Sequence, residues 1–219
     1  MIRLNEPAPD FAASSTHGPL QLSDFRGRWL LLFSHPADFT PVCTSEFVAF
    51  ARRHAEFESL GCALVGLSVD SLYSHIAWTR SIEQVFGVTI PFPIIDDLSM
   101  QISSLYGMIQ PAESHTSAIR AAFFIDPEGL LRALVYYPPS AGRSIEELLR
   151  LVQALQAGDR EDAATPEGWQ PGDSLVLPAP KTTQAAQERV LTAKNQGLEC
   201  LDWYYCRKTA AGPTKKAAA

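Results

Sequence analysis

Two nearly unbroken apolar runs, WLLLFSH at 29–35 and CALVGLSV at 62–69, constrain this chain more than any other feature of it. A strand with one wet face alternates apolar and polar residues, whereas a continuous run must be covered on both faces. Between the two runs the period changes. Phe47, Phe50, Ala51, His54 and Phe57 recur at helical spacing, with Arg52, Arg53, Glu56 and Glu58 interleaved, and Gly61 ends the stretch. Strand, helix and strand in that order require a sheet with helices laid against it.

The alternation continues. LYSHIAWTRSIEQVF predicts a helix after Asp70 or Ser71, either of which is a suitable cap, and it stops at Gly87. FPII at 92–95 is a short strand, followed by Asp96–Asp97 and a helical stretch to Gly107. AAFFID at 121–126 and LLRALVYY at 130–137 flank PEG, a turn with glycine last, and predict a hairpin. SIEELLRLVQALQ at 144–156 predicts a helix, with Ser144 and Glu147 spaced for a capping box. The resulting fold class is α/β, a central mixed sheet flanked by helices. Residues 1–28 read as an N-terminal decoration.

After Gly158 the composition shifts to Pro, Gly, Asp and Ala, which predicts an extended arm in which LVLP supplies an edge strand. A helix over TQAAQERVLTAKNQ and the segment CLDWYYC follow. The expected organisation is a domain over 1–158 and an arm over 159–219. With 219 residues, a formal net charge of −6 and one basic pair in a small-residue tail, the chain carries no nucleic-acid footprint. No stretch approaches the ~20 apolar residues of a membrane span, and the start of the chain has no apolar leader core. Four cysteines in a chain of this length make no disulfide scaffold, and a cytoplasmic location is expected.

The chemistry concentrates in PADFTPVC at 36–43. A thiol reacts as its thiolate, and the unpaired N–H groups and dipole of a helix start favour negative charge. Cys43 stands where a helix opens, and Pro41 is tolerated there because its missing N–H would be unbonded anyway. Thr40 can offer a hydroxyl to the sulfur or to an oxygen attacking it. The bland alternatives are real. An arginine before a strand, such as Arg120, is usually a solvated rim residue, and His35 at a strand end is more often a satisfied core histidine. For Arg143, salt bridging near a helix cap competes with a pocket role. Cys62 opens an apolar strand and reads as inert core. His17, His54, His75 and His115 show no metal-ligand spacing with cysteines or carboxylates, so no metal is assigned.

SHPADFTPVCTSEF resembles the active-site loop of the peroxiredoxins, in which proline, threonine or serine, and cysteine stand where Pro36, Thr40 and Cys43 stand here. GLSVDS, PFPIIDD, RAAFFIDPEG and YYPPSAGRSIEELLR extend the resemblance over essentially the whole chain, nearest the branch related to the 1-Cys enzymes. It implies a thioredoxin-like fold with a C-terminal arm, reducing hydrogen peroxide and alkyl hydroperoxides with thiol electrons and no metal, haem or flavin. Cys43 would be the peroxidatic cysteine, passing through a sulfenic acid. Thr40 would bond the peroxide and the thiolate, Arg120 would favour the thiolate and polarise the O–O bond, and Pro36 would shield the sulfur. His35 would sit near the sulfur, and Arg143 would support the pocket.

In the tail, the resemblance implies that Cys206 resolves the oxidised Cys43 as a disulfide across subunits, with Cys200 its alternative partner within the tail. A thioredoxin-like or other dithiol reductant would reopen it, in a homodimer that assembles further into a decamer. A rival reading keeps the same cysteine as a peroxide sensor or a redox-switched chaperone. A plain thiol–disulfide exchange protein is disfavoured because no C-x-x-C opens the helix.

Overall fold

The computed structural model describes residues 2–209. The described residues form two units, which part between Leu149 and Arg150, within a helix. In chain order the first unit holds β1 (Ala12–Ala13), β2 (Leu20–Gln21), β3 (Trp29–Ser34), α1 (Pro41–Arg52), α2 (His54–Ser59), β4 (Cys62–Ser68), α3 (Leu72–Phe86), β5 (Ile94–Asp96), α4 (Gln101–Leu105), β6 (Arg120–Ile125) and β7 (Leu131–Tyr137). Helix α5 (Ile145–Glu161) runs from this unit into the second.

The central sheet has the order β5-β4-β3-β6-β7. β3, β4 and β5 are parallel, and β6 and β7 are antiparallel additions, so the sheet is mixed as expected. The two apolar runs are the neighbours β3 and β4, with Leu30, Leu31, Leu32, Phe33, Val65 and Leu67 all buried. Strand alternation sends Leu30 and Leu32 to one core. Phe33 goes to the other face and stacks on Phe50 of α1 at 4.1 Å between ring centroids, with Phe47 and Phe92 against it edge-on.

Residues 1–28 are more than decoration. Ala8, Phe11, Leu22 and Phe25 belong to the core cluster of Leu30, Leu32 and Phe123. A strand apolar on both sides needs such cover, and the early segment supplies it. The β6–β7 turn closes on Gly129, at φ +78°, where a Cβ would lie 2.0 Å from the Arg26 guanidinium. Helix α3 is capped by the Ser71 hydroxyl, which accepts from the Ser74 N–H, and ends on left-handed Gly87.

The helix expected to open on Cys43 begins two residues earlier, with Thr40 as N-cap and Pro41 first. It also breaks at Arg53, where α2 takes over.

In the second unit, α5 continues through Gly158 to Glu161, past the point where composition predicted an arm. Gly158 permits the chain to fold back, since a Cβ there would meet the Ala163 carbonyl at 3.1 Å. Trp169 and Leu175 then pack on Ala154 and Ala157 as a small core of their own. The expected edge strand is β8 (Leu175–Val176), the expected helix is α6 (Thr183–Thr192), and CLDWYYC forms the hairpin of β9 (Glu199–Asp202) and β10 (Tyr205–Lys208). The sheet order is β8-β10-β9. Cys200 and Cys206 pair across the hairpin as a disulfide.

Candidate active site

The end of β3 and the start of α1 are joined by residues 35–40, and everything of chemical interest in the first unit gathers around this turn. Cys43 is the third residue of α1 and is fully buried. In the first turn of a helix the N–H groups have no intrahelical partner, and the first such bond here runs from Thr44 N–H to the Thr40 carbonyl, at 3.0 Å. Cys43 therefore sits among unspent donors, with the positive end of the helix dipole behind it.

Arg120 opens β6 rather than preceding it, and its side chain is 3% exposed, which overturns the solvated-rim alternative. Its Nη1 donates to Cys43 Sγ at 3.3 Å and to Glu46 Oε2 at 2.9 Å. Its Nε and Nη2 both donate to the Pro139 carbonyl, at 3.2 and 3.1 Å. The guanidinium is thus held by three partners with one N–H edge turned to the sulfur. Arg143 does not bond the sulfur. It grips Glu46 with two side-chain bonds, Nε to Oε1 at 3.0 Å and Nη2 to Oε2 at 2.7 Å, and its backbone N–H donates to Oε1 at 2.7 Å. Its remaining Nη1 donates to the Ala121 carbonyl at 2.8 Å, and the guanidinium lies over the Phe33 ring.

Glu46 was not among the residues expected from sequence, although it is the hub of this network. A signal was present: Cys43 and Glu46 are three apart on one helix, hence on one face. Burial pushes a carboxyl upward, but the Arg143 bonds and charge, with Arg120 adding to them, outweigh it and hold Glu46 below the usual carboxylate range.

Thr40 Oγ1 donates to the Ala37 carbonyl at 2.8 Å, so its proton is directed there and not at the sulfur. Pro36 is half-buried in the same turn. His35 is fully buried, and its hydrogen bond goes to Asp38 rather than to Cys43. Its ring stacks on Trp78 and meets Phe47 edge-on. Cys62 is 2% exposed, and burial pushes its thiol up to about 12, which suits inert core.

The histidines do cluster, contrary to what their spacing suggests. Atoms of His35, Asp38 and His75 that could each hold a metal lie within 4.8 Å of one another, a grouping made by the fold across 37 positions of sequence. The contacts themselves, 2.9 Å from His35 Nε2 to Asp38 Oδ1 and 2.8 Å from His75 Nδ1 to Asp38 Oδ2, are hydrogen-bond lengths. Burial would raise the Asp38 carboxyl, yet the bonds from both imidazoles hold it far below the carboxylate range. Burial lowers His35 from the ordinary 6.5, against the pull of Asp38.

These directions fix a pH dependence. A depressed folded-state value contributes stability that is complete above the unfolded value and is lost as pH falls. His35 begins to cost stability as pH drops below its unfolded 6.5, and Glu46 and Asp38 join it below 4.5 and 3.8. Each group contributes at most about 1.4 kcal/mol per pH unit. Urea midpoints measured from pH 8 to 4 should be level above about pH 7 and decline below it. A flat profile down to pH 4 would contradict these assignments.

Residues 4–134 match the AhpC/TSA family, and residues 154–193 match the C-terminal domain of 1-Cys peroxiredoxin. A peroxiredoxin of Aquifex aeolicus is 51% identical over 217 residues, 94% of this chain and 96% of that protein. Peroxiredoxin 2 of Caldanaerobacter subterraneus subsp. tengcongensis is 50% identical, over 94% of this chain and 92% of its own. Among solved structures, the C45S mutant of peroxiredoxin 6 from Arenicola marina superposes with a TM-score of 0.86 at 32% identity, covering 97% of this chain and all of that one. A yeast mitochondrial 1-Cys peroxiredoxin gives 0.83 at 35%, covering 95% of this chain and all of its own. The thioredoxin-like architecture, the matched family domains and relatives aligned nearly end to end agree: the chain belongs to the peroxiredoxins of the AhpC/TSA family and is a thiol peroxidase.

Proposed function

We propose that Cys43 is the thiol that meets the peroxide, and the observation that carries this is the Arg120 Nη1 donor at 3.3 Å from its sulfur in the first turn of α1. The Cys43 thiolate attacks the terminal oxygen of hydrogen peroxide or an alkyl hydroperoxide. An S–O bond forms, the O–O bond breaks, and the departing oxygen leaves as water or an alcohol after taking a proton. Arg120 stabilises negative charge on the sulfur before attack and on the oxygens during it. Thr40 has spent its proton on Ala37, so its oxygen lone pairs remain to accept from the O–H of the peroxide. Pro36 walls the turn, and Arg143 acts through Glu46 by keeping the Arg120 partner in place.

Thr40→Val should lower the rate of peroxide reaction roughly 100-fold or more, the scale of losing one transition-state hydrogen bond. The helix should persist, because the Thr40 side chain makes no capping bond to α1. Stopped-flow oxidation rates beside a thermal melt would check both. An unchanged rate would remove Thr40 from the mechanism.

The sulfenic acid of Cys43 is then attacked by the Cys206 thiolate of a second copy, giving a disulfide and water, and a thioredoxin-like or other dithiol reopens it. Here Cys206 is buried and paired with Cys200, so the arm must be reduced before it can resolve anything. The homologous yeast 1-Cys enzyme is described as resolved through glutathione and thioredoxin systems, which supports a thiol reductant here. The assembly we infer is a homodimer that builds into a decamer. The test is a peroxide pulse on pre-reduced protein, then non-reducing electrophoresis. A dimer band that Cys206→Ser removes and Cys200→Ser retains supports the scheme, and a purely monomeric band refutes resolution between chains.

A further inference from the structure

The turn that carries Thr40 is built in an unusual way. Phe39 lies at φ +55°, a left-handed conformation that side chains with a Cβ rarely adopt, so neighbouring contacts must hold it there. Helix α3 supplies the hold at two points. On the near side His75 Nδ1 bonds Asp38 Oδ2 at 2.8 Å, while His35 Nε2 takes the other carboxylate oxygen at 2.9 Å. The Asp38 N–H donates to Asp70 Oδ2 at 2.9 Å, the same oxygen that accepts from the Ser68 hydroxyl. On the far side Trp78, one turn along α3 from His75, donates from Nε1 to Thr44 Oγ1 at 3.2 Å, and Thr44 Oγ1 donates to the Thr40 carbonyl at 2.8 Å. Phe39 and Thr40 are spanned between these two grips.

The near grip is a bridge of hydrogen bonds across one carboxylate. His75 Nε2 lies 3.1 Å from the Ile95 carbonyl, so the two ring nitrogens of His75 face Asp38 and Ile95. The Asp38 carboxylate is buried and accepts, so His35 must donate from Nε2, which leaves His35 Nδ1 as a buried lone pair with no partner. A carboxylate bridged by two imidazoles, on a residue whose backbone N–H is tied to Asp70 in the loop after β4, has almost no freedom to shift.

We propose that Asp38 is a positioning residue for the peroxide reaction, clamped by His75, and that this clamp sets Thr40 against Cys43. This rests on Cys43 as the peroxide-reactive thiol. A misplacement of about 1 Å can cost 100-fold in rate without touching a reacting group.

The two amides that replace histidine separate its two bonds. His75→Asn places its amide near the Nδ1 position and keeps a donor for Asp38, whereas His75→Gln reaches the Nε2 position and keeps only the bond to Ile95. Two rates are measured on the full, pre-reduced chain: oxidation by hydrogen peroxide in stopped flow, and alkylation of Cys43 by iodoacetamide, tracked on the Cys43 peptide by mass spectrometry. We expect His75→Gln and Asp38→Asn to slow peroxide oxidation at least tenfold with alkylation within about threefold of the parent, and His75→Asn to recover most of the loss. Alkylation needs an accessible sulfur but no oriented Thr40. Unchanged oxidation in His75→Gln would overturn the proposal. So would a tenfold rise in alkylation, which marks general loosening, or failure of all three variants to fold, which marks a purely structural role. Cys43→Ser is run alongside. If it still reacts with peroxide the reading of Cys43 fails, and if it is inert while His75→Gln is normal, only the clamp fails.

Discussion

Cys43→Ser is expected to reduce peroxide consumption, in excess dithiothreitol, to the rate of the dithiol alone. The substitution replaces one small buried atom by another and leaves Arg120, Glu46 and Arg143 to one another, so the fold should survive. What disappears is the proposed nucleophile, since a serine hydroxyl stays protonated and the nearby Glu46 carboxylate is spent on Arg120 and Arg143. No other thiol can stand in. Cys62 is buried with its thiol pushed up to about 12, and the arm cysteines, once the dithiol has opened their disulfide, stand on a strand hairpin and not in the first turn of a helix. Cys206→Ser should keep its turnover in the same assay, because a small dithiol can reduce the sulfenic acid directly. Full activity in Cys43→Ser would mean that the cysteine in the first turn of α1 is structural.

Glu46→Ala should have the largest effect on stability. Two arginine side chains, 3% and 0% exposed, share this carboxylate, which is itself 2% exposed. A buried pair adds little when intact, but deleting one partner leaves charge stranded in a dry site at a cost of about 3–5 kcal/mol. For a chain of this size that corresponds to a fall in Tm of roughly 6–20 °C. Activity should fall as well, because Arg120 loses one of the two partners, Glu46 and the Pro139 carbonyl, that fix its edge against the sulfur. A thermal melt and a peroxide assay on the same preparation separate the two effects. A Tm within about 2 °C of the parent would show that water enters and solvates the arginines.

Local and distant determinants divide this chain. β3 and β4 were legible in the sequence because a run buried on both faces has no polar residues to interrupt it. The ends of α3 were legible because Ser71 and Gly87 act on neighbouring backbone. Cys43, Thr40 and Arg120 came from a motif and its resemblance, and the geometry joins Arg120 to Cys43 directly. The rest depends on distant pairing. Asp38 meets His75 across 37 positions, and Glu46 meets Arg143 across 97. Nothing in either segment marks its partner. Phe11, Leu22 and Phe25 looked like decoration because their role exists only once the sheet presents a face to cover. Trp169 was hidden in a stretch whose proline and glycine content resembles a linker, although its ring anchors a small core.

On the role proposed for Cys43, its complete burial bears on the fate of the enzyme once the sulfur has been oxidised. A small oxidant can be admitted to an enclosed sulfur, but a second protein thiol cannot reach it while the opening turn of α1 stays wound. The oxidised enzyme therefore stands at a kinetic branch. Either that turn unwinds and hands the sulfur to a thiol, or another peroxide arrives first and carries it up the oxidation ladder beyond rescue by simple thiols. The share taking each route is a ratio of two rates, one belonging to the local stability of a few helical residues and the other to the peroxide concentration. A substitution that stiffens the start of α1 would leave the first turnover untouched and shorten the working life of the enzyme.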